Sequence, residues 1–247
     1  MPTRTRRAAL LLFPALALAV PTAAAAQHGP GVSSVLERAR AAMGGAGAWN
    51  SVRGLHEVGT ENGRPYEHWV DLLRWGERVE TGAGPAKVVQ GYNGYGLWWL
   101  PLSTPWPPGT QAELMARARS DAFFSAYGYF FTGRFDMRTI YLGVRPSGGR
   151  SYDVVRIHPE FGEARELWFD RKTGLPGRIV DGRTSQPRTV EFSDYRRVGR
   201  VTLPFRVTTF GGGLASPLER KLDKVEVLAP DRAIFSLPPA DAPKPAA

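Results

Sequence analysis

Apolar and polar residues repeat along the chain with two different periods, and the longer period predicts helices at two places. Over residues 32–43, apolar residues recur on one face of a helix. Ser34 and Glu37 have the spacing of a capping box, and Gly44 follows the last apolar position as a stop signal. The pattern therefore predicts a first helix over 32–43 that ends at Gly44.

A second helical pattern starts near Thr110 and runs towards Phe130. Met115 and Ala122 lie on its apolar face, and several Phe and Tyr residues widen that face into an aromatic band. Gly128 lies close to the far end and favours a shorter helix. The pattern predicts a mostly buried helix with an aromatic surface.

The rest of the chain alternates with a period of two between turn residues, which predicts strands. The predicted strands cover residues 51–60, 65–75, 77–81, 86–92, 95–100, 139–144, 151–158, 163–170, 175–181, 188–197, 201–210 and 217–228. Residues 101–109 are rich in proline, which excludes a helix or a strand interior and predicts a long loop. Together these patterns predict one domain of about ten strands and two helices.

The dipeptide Asn62-Gly63 is a strong signal for a two-residue hairpin turn between the first two strands. With a type I′ turn at these residues, Glu57 pairs with His68 across the hairpin. His56 then points to the opposite face from His68, which argues against a metal site shared by the two histidines.

The N-terminal residues 1–26 have the pattern of a secretory signal peptide. Three arginines precede an apolar run that is short for a membrane span, and small residues come before Gln27. Removing this segment would lower the net charge from +9 to +6. We expect one domain over 27–237 and a disordered tail rich in Pro and Ala over 238–247. The protein is expected to be exported to the periplasm.

Composition excludes several classes of function. The chain has 247 residues, 43% of them hydrophobic, which is enough for a core, and it has no cysteine. The missing cysteine excludes a disulfide scaffold, a thiolate metal site, a cysteine nucleophile and a lipoprotein anchored through an N-terminal cysteine. A basic patch around Tyr195 is too small to indicate a nucleic-acid partner.

Motifs of catalysis are not found in the sequence. There is no nucleophile-elbow motif, and the glycine clusters have the wrong spacing and context for a phosphate or dinucleotide loop. No histidine pair has the spacing of a helical metal site. The sequence therefore predicts no catalytic residue, no metal and no cofactor.

Aromatic residues are the most prominent chemical feature of the chain. Seven tryptophans are many for this length, and core packing accounts for most such residues. A curved sheet covered by helices can also leave an apolar cavity, with the aromatic helix and the Pro-rich loop as its cover. The expected positions in the cavity or its cover are Trp99, Trp106, Met115, Phe123, Tyr127 and Phe131.

Several turn and strand-end motifs resemble those of the LolA-like proteins of the bacterial envelope, which are outer-membrane lipoprotein-sorting proteins. A helix that ends in Met43-Gly44-Gly45 precedes the first of them. The further matching segments are 48–55, 59–60, 91–94, 98–99, 169–176, 192–196, 203–205, 225–227 and 234–235. The Trp-Trp-Leu-Pro segment and the Pro-rich loop depart from the pattern of the family.

The resemblance implies an α+β fold, mainly antiparallel, in which a half-open β-barrel of about ten strands is covered by two or more helices. It implies a non-catalytic periplasmic protein that holds lipid or lipoprotein acyl chains and meets inner- or outer-membrane envelope proteins. Two other functions stay open. One is an envelope interaction module with a filled core and no lipid. The other is a secreted hydrolase, for which we expect polar groups to converge in a pocket.

Overall fold

The computed structural model of the protein describes residues 30–182 and 187–238. The expected signal peptide 1–26 and nearly all of the expected tail 238–247 lie outside the described residues. Helices α1, α2 and α3 span Pro30–Ala42, Ala46–Trp49 and Gln111–Ser125. Within the described ranges, no helix has the length and apolar character needed to cross a membrane.

In the described part of the chain, twelve strands form one antiparallel sheet with the order β5-β4-β3-β2-β1-β12-β11-β10-β9-β8-β7-β6. They are β1 (Gly54–Glu61), β2 (Arg64–Asp71), β3 (Glu77–Thr81), β4 (Val88–Tyr92), β5 (Leu97–Leu100), β6 (Met137–Ser147), β7 (Arg150–Pro159), β8 (Arg165–Asp170), β9 (Pro176–Asp181), β10 (Arg188–Val198), β11 (Val201–Gly211) and β12 (Leu218–Leu228). The outermost strands, β5 and β6, do not pair with each other, so the sheet is not closed. The predicted half-open, mainly antiparallel α+β fold is confirmed.

The β1–β2 hairpin has the predicted turn and register. Asn62 and Gly63 have φ values of 47° and 75°, the left-handed pair that a type I′ turn requires. Glu57 pairs with His68, and the pairing runs without a shift along the hairpin. The local turn chemistry was sufficient to predict this part of the sheet.

Helix α1 ends as predicted but begins differently. Gly44 adopts φ 118°, and a side chain there would meet the carbonyl oxygen of Arg200 at 2.3 Å, so only glycine fits. The predicted capping box is wrong, because Ser34 lies inside the helix and its hydroxyl donates to the carbonyl of Gly31 at 3.0 Å. The helix had already started at Pro30.

A capping box starts α3 instead. The Thr110 hydroxyl accepts from the backbone N–H of Glu113, whose carboxylate accepts from the Thr110 N–H in turn. The predicted extension to Phe130 is wrong, since the helix ends at Ser125 and Tyr127 adopts a left-handed φ of 51°. A side chain at Gly128 would meet the Phe123 ring at 2.5 Å, so the chain folds back tightly here.

The main core lies between the concave face of the sheet and the three helices. Its centre is Trp49, whose indole N–H donates to the carbonyl of Met43 at 3.1 Å. The rings of Tyr127 and Phe130 pack at 4.8 and 5.3 Å from the Trp49 ring. These large buried rings fix α2 and the turn after α3 against the sheet.

A short segment near the C-terminus packs against the convex face of the sheet. The carbonyl of Phe235 accepts from the indole of Trp98 at 2.9 Å, and that of Ile234 accepts from Arg78 at 3.1 Å. Phe235 is buried over Gly76, where a Cβ would collide with its ring. Residues 229–236 therefore hold β3 and β5 from outside.

Candidate functional site: a cavity on the concave face

A cavity of about 300 Å³ lies between the concave face of the sheet and the second half of α3. Its volume is at the lower end of the range of small-molecule sites. Part of its wall is apolar, with side chains from α3, β9 and β10. Members of this apolar part include Phe124, Ile179, Val190 and Phe192. The rest of the wall is polar and contains two groups of charged side chains.

The first charged group is centred on His68 of β2. Its Nδ1 lies 2.9 Å from Glu57 Oε2, and its Nε2 lies 2.9 Å from Glu77 Oε1. Burial by itself would lower the pKa of His68, but the hydrogen bonds to both carboxylates outweigh it and raise the pKa to about 9. The imidazole is therefore cationic at neutral pH and donates to both acids. The Ser125 hydroxyl also donates to Glu77 Oε1, at 2.7 Å.

Tyr66 and Arg220 continue this group along the wall. The Arg220 guanidinium lies 4.0 Å from the centre of the Tyr66 ring and donates to Glu61 at 2.9 Å. Burial raises the pKa of Tyr66 well above its usual range, so its phenol keeps its proton. Among the described residues, the buried Oη of Tyr66 and Nε of Arg220 have no hydrogen-bond partner.

The second charged group joins α3 to β8 and β10. Asp121 Oδ1 accepts from Arg165 at 2.8 Å and from Arg188 at 3.1 Å. Burial would raise the pKa of Asp121, but the two guanidiniums outweigh it and hold the pKa below its usual range. Arg165 is buried over the Phe124 ring, and its Nε has no hydrogen-bond partner in the part of the chain that the structure describes. The Asp181 carboxylate lies 4.0 Å from that atom.

Only one of the six expected cavity positions lines this cavity. That residue is Tyr127, which belongs to the turn after α3. Phe123 and Phe131 are buried in the main aromatic core. Met115 packs against the small cluster formed by Tyr92, Ala118 and Ala122. The structure therefore does not bring the six residues together.

Trp99 and Trp106 form a separate pair at the β5 edge of the sheet. Their ring centroids are 4.5 Å apart, and the ring planes meet at 66° in an edge-to-face arrangement. Trp99 pairs with Gln90, which lines the cavity, so it lies on the concave face beside the cavity. Trp106 belongs to the Pro-rich loop and is largely exposed.

Sequence reasoning did not identify the charged residues of the wall. The Glu57–His68 pairing followed from the hairpin register, but it was used only to assess a shared metal site. His56 does point to the convex face, where it stacks on Trp69 at 4.4 Å and bonds Glu67. Within residues 30–182 and 187–238, no group of three or more His, Asp or Glu side chains has the arrangement of a metal site.

Comparison with solved structures identifies the fold. The chain is similar to a DUF1329 family protein from Desulfovibrio piger, with a TM-score of 0.53 and 13% identity over 83% of this chain and 97% of that one. It is also similar to a LolA superfamily protein from Nitrosomonas europaea, with a TM-score of 0.50 and 12% identity over the same shares. No protein-family model and no curated protein sequence matches the chain. The resemblance stated from sequence motifs is confirmed at the level of the fold.

Proposed function

We propose that the protein is an exported, non-catalytic binding protein that holds an acyl chain of a lipid or lipoprotein in the concave cavity. The observation that carries this proposal is the cavity itself. About 300 Å³ of space remains between sheet and helix although the surrounding aromatic core is densely packed. Burying an acyl chain against the apolar wall supplies about 0.8 kcal/mol for each CH₂ group.

The polar wall indicates that the ligand is an amphiphile rather than a plain hydrocarbon. Unpaired buried donors are costly, and three of them belong to residues that line the cavity: Tyr66, Arg165 and Arg220. A carboxylate, phosphate or ester oxygen of the ligand would satisfy such donors. We therefore place the chain against Phe124, Ile179 and the neighbouring apolar residues, and the polar head against one of the charged groups.

Export supports the same proposal. The pattern of residues 1–26 indicates passage into the periplasm, and the absence of cysteine excludes a lipidated N-terminal cysteine. A lipid that crosses an aqueous compartment needs a protein that shields its chain from water.

Polar groups with shifted pKa values converge in the cavity, as the hydrolase alternative requires. The geometry does not support a nucleophile, however. Ser125 donates to Glu77 and not to an imidazole, and both nitrogens of His68 are already engaged by carboxylates. Ser125 also ends α3, where the helix dipole disfavours a developing alkoxide. We infer that these residues bind and orient and do not catalyse.

The test is native mass spectrometry of the protein purified from its own periplasm without detergent. We expect a bound mass that fragments to acyl chains. Protein that carries no such mass, and that takes up neither dodecanoate nor dodecanol when these are added, would overturn the proposal. That outcome would favour the envelope interaction module.

A further inference from the structure

Four of the eleven large apolar side chains that are exposed among the described residues lie in three loops at one end of the sheet. These mouth loops are residues 101–110 between β5 and α3, 160–164 between β7 and β8, and 212–217 between β11 and β12. Leu102 and Phe161 are 75% and 74% exposed, and Trp106 and Leu214 are also exposed. Exposed apolar residues at several loop tips on one end of a sheet indicate a surface that meets an apolar partner.

The strand register places the three loops on the same end of the sheet. The pair Leu100–Val89 ends β5, and the pair Arg188–Gly211 ends β11. The pair Met137–Pro159 ends β7. Because neighbouring strands are antiparallel, these terminal pairs all lie at the same end of the strands.

The cavity opens at this same end. Arg188, the first residue of β10, and Asp121 are partly exposed members of its wall. Tyr66 and Tyr129, which also line it, are fully buried. The entrance therefore lies at the end of the sheet that carries the mouth loops, and the buried tyrosines lie deeper in the cavity.

The composition of the mouth loops fits a lipid bilayer. Residues 101–110 and 212–217 contain no charged residue, in a chain of which 22% is charged. The third loop carries Glu160 and Glu163 beside Phe161. Trp and Leu at loop tips partition well into the interface between headgroups and acyl chains. The net charge of +6 that remains without residues 1–26 would attract the protein to an anionic surface.

We propose that the mouth loops dock the protein onto a lipid bilayer that contains anionic lipid, with the cavity entrance facing the membrane. Leu102, Trp106, Phe161 and Leu214 insert among the headgroups. A ligand then passes between the bilayer and the cavity without exposing its chain to water. Docking does not require an occupied cavity, so it is separable from the proposed binding function.

The experiment is cosedimentation with vesicles of phosphatidylethanolamine and phosphatidylglycerol, using protein that begins at Gln27 and so retains every described residue. We expect the parent protein to sediment with these vesicles and to remain bound at raised salt, since insertion of apolar side chains is not screened. The double variant Leu102→Asp with Leu214→Asp should partition about tenfold or more weakly. Both side chains are exposed, so the fold should be retained, as circular dichroism would verify.

The matched control is Tyr95→Asp, which places the same charge at an 85% exposed aromatic residue on the opposite end of the sheet. This control should sediment like the parent protein. A parent protein that does not sediment with the vesicles, or a folded double variant that sediments as well as the parent, would overturn the docking proposal. If the double variant does not fold, the same cosedimentation experiment is carried out with the single variant Leu102→Asp, and its result decides between the two outcomes. Uptake of dodecanoate in solution should be unchanged in the double variant, which separates failure of docking from failure of ligand binding.

Discussion

The Nδ1 atom of His68 lies 2.9 Å from Oε2 of Glu57, directly across the β1–β2 hairpin. Because Glu77 accepts from the other ring nitrogen, one imidazolium connects β1, β2 and β3 through two ionic hydrogen bonds. Burial of this unit on the cavity wall makes its protonation part of the stability of the fold.

Stability should therefore fall with rising pH on the alkaline side of neutrality. The pKa of His68 is raised in the folded protein from 6.5 to about 9. Its stabilising contribution is fully present below pH 6.5 and is lost as the pH rises through about 9. The loss should be on the order of 3 kcal/mol in the free energy of unfolding. Urea denaturation at a series of pH values measures it.

Substitution of the histidine isolates this contribution. The variant His68→Gln should lose the decline between pH 6.5 and 9. The variant His158→Gln removes an exposed histidine outside the cavity and should keep the profile of the parent protein. A parent profile that is flat over this range would contradict the assignment.

Removal of the Asp121 carboxylate should destabilise the fold strongly. In Asp121→Asn, the buried guanidinium of Arg165 loses its nearest carboxylate, at 2.8 Å, and keeps only that of Asp181, 4.0 Å from its Nε. We expect a cost of roughly 3–5 kcal/mol, measured by urea denaturation at neutral pH. The control Glu166→Gln breaks two ion pairs with partly exposed arginines on the outer face and should cost less than about 1 kcal/mol. Equal losses in the free energy of unfolding would contradict the prediction that the buried ion pair of Asp121 contributes more than the exposed pairs of Glu166.

Turn chemistry is the part of this fold that the sequence predicts best. Asn62-Gly63 determines the hairpin register, and Gly44 determines the end of α1, because both depend on local backbone conformation. The end of α3, in contrast, is not determined by local backbone conformation alone. Tyr127 adopts a left-handed conformation, and its ring packs against Trp49, which lies 78 residues away in the sequence. A pattern of nearby residues does not contain this contact.

The candidate site was less predictable for a related reason. An aromatic side chain has the same sequence signature in a packed core as in a cavity wall, so Phe123 and Tyr127 were indistinguishable. Charged residues such as Glu57 and Arg220 alternate along their strands like any solvent-facing residue. Curvature of the twelve-stranded sheet decides that they face inward, and no short segment specifies that curvature.

The hydroxyl of Tyr66 should matter for ligand binding but not for the stability of the empty protein. In Tyr66→Phe only an unpartnered Oη is removed, so the free energy of unfolding should not fall. Binding of dodecanoate should weaken by about tenfold if the head group uses this donor. Titration calorimetry measures the binding.

The control for this change is Tyr152→Phe, at a buried tyrosine that packs on Trp168 away from the cavity. It should leave dodecanoate binding unaltered. Weakened binding in both variants, or in neither, would argue against a head group placed at Tyr66.

Tyr127 should limit the length of the bound chain, since its ring lies in the cavity wall. In Tyr127→Ala the space of that ring joins the cavity, and native mass spectrometry with a mixture of fatty acids should detect a shift towards longer bound chains. The matched variant Phe131→Ala removes a ring that is buried near Trp49 but does not line the cavity. Phe131→Ala should cost about 3–5 kcal/mol in stability without changing the chain-length preference. If both variants shift the preference alike, loosening of the aromatic core and not the Tyr127 ring sets the chain length.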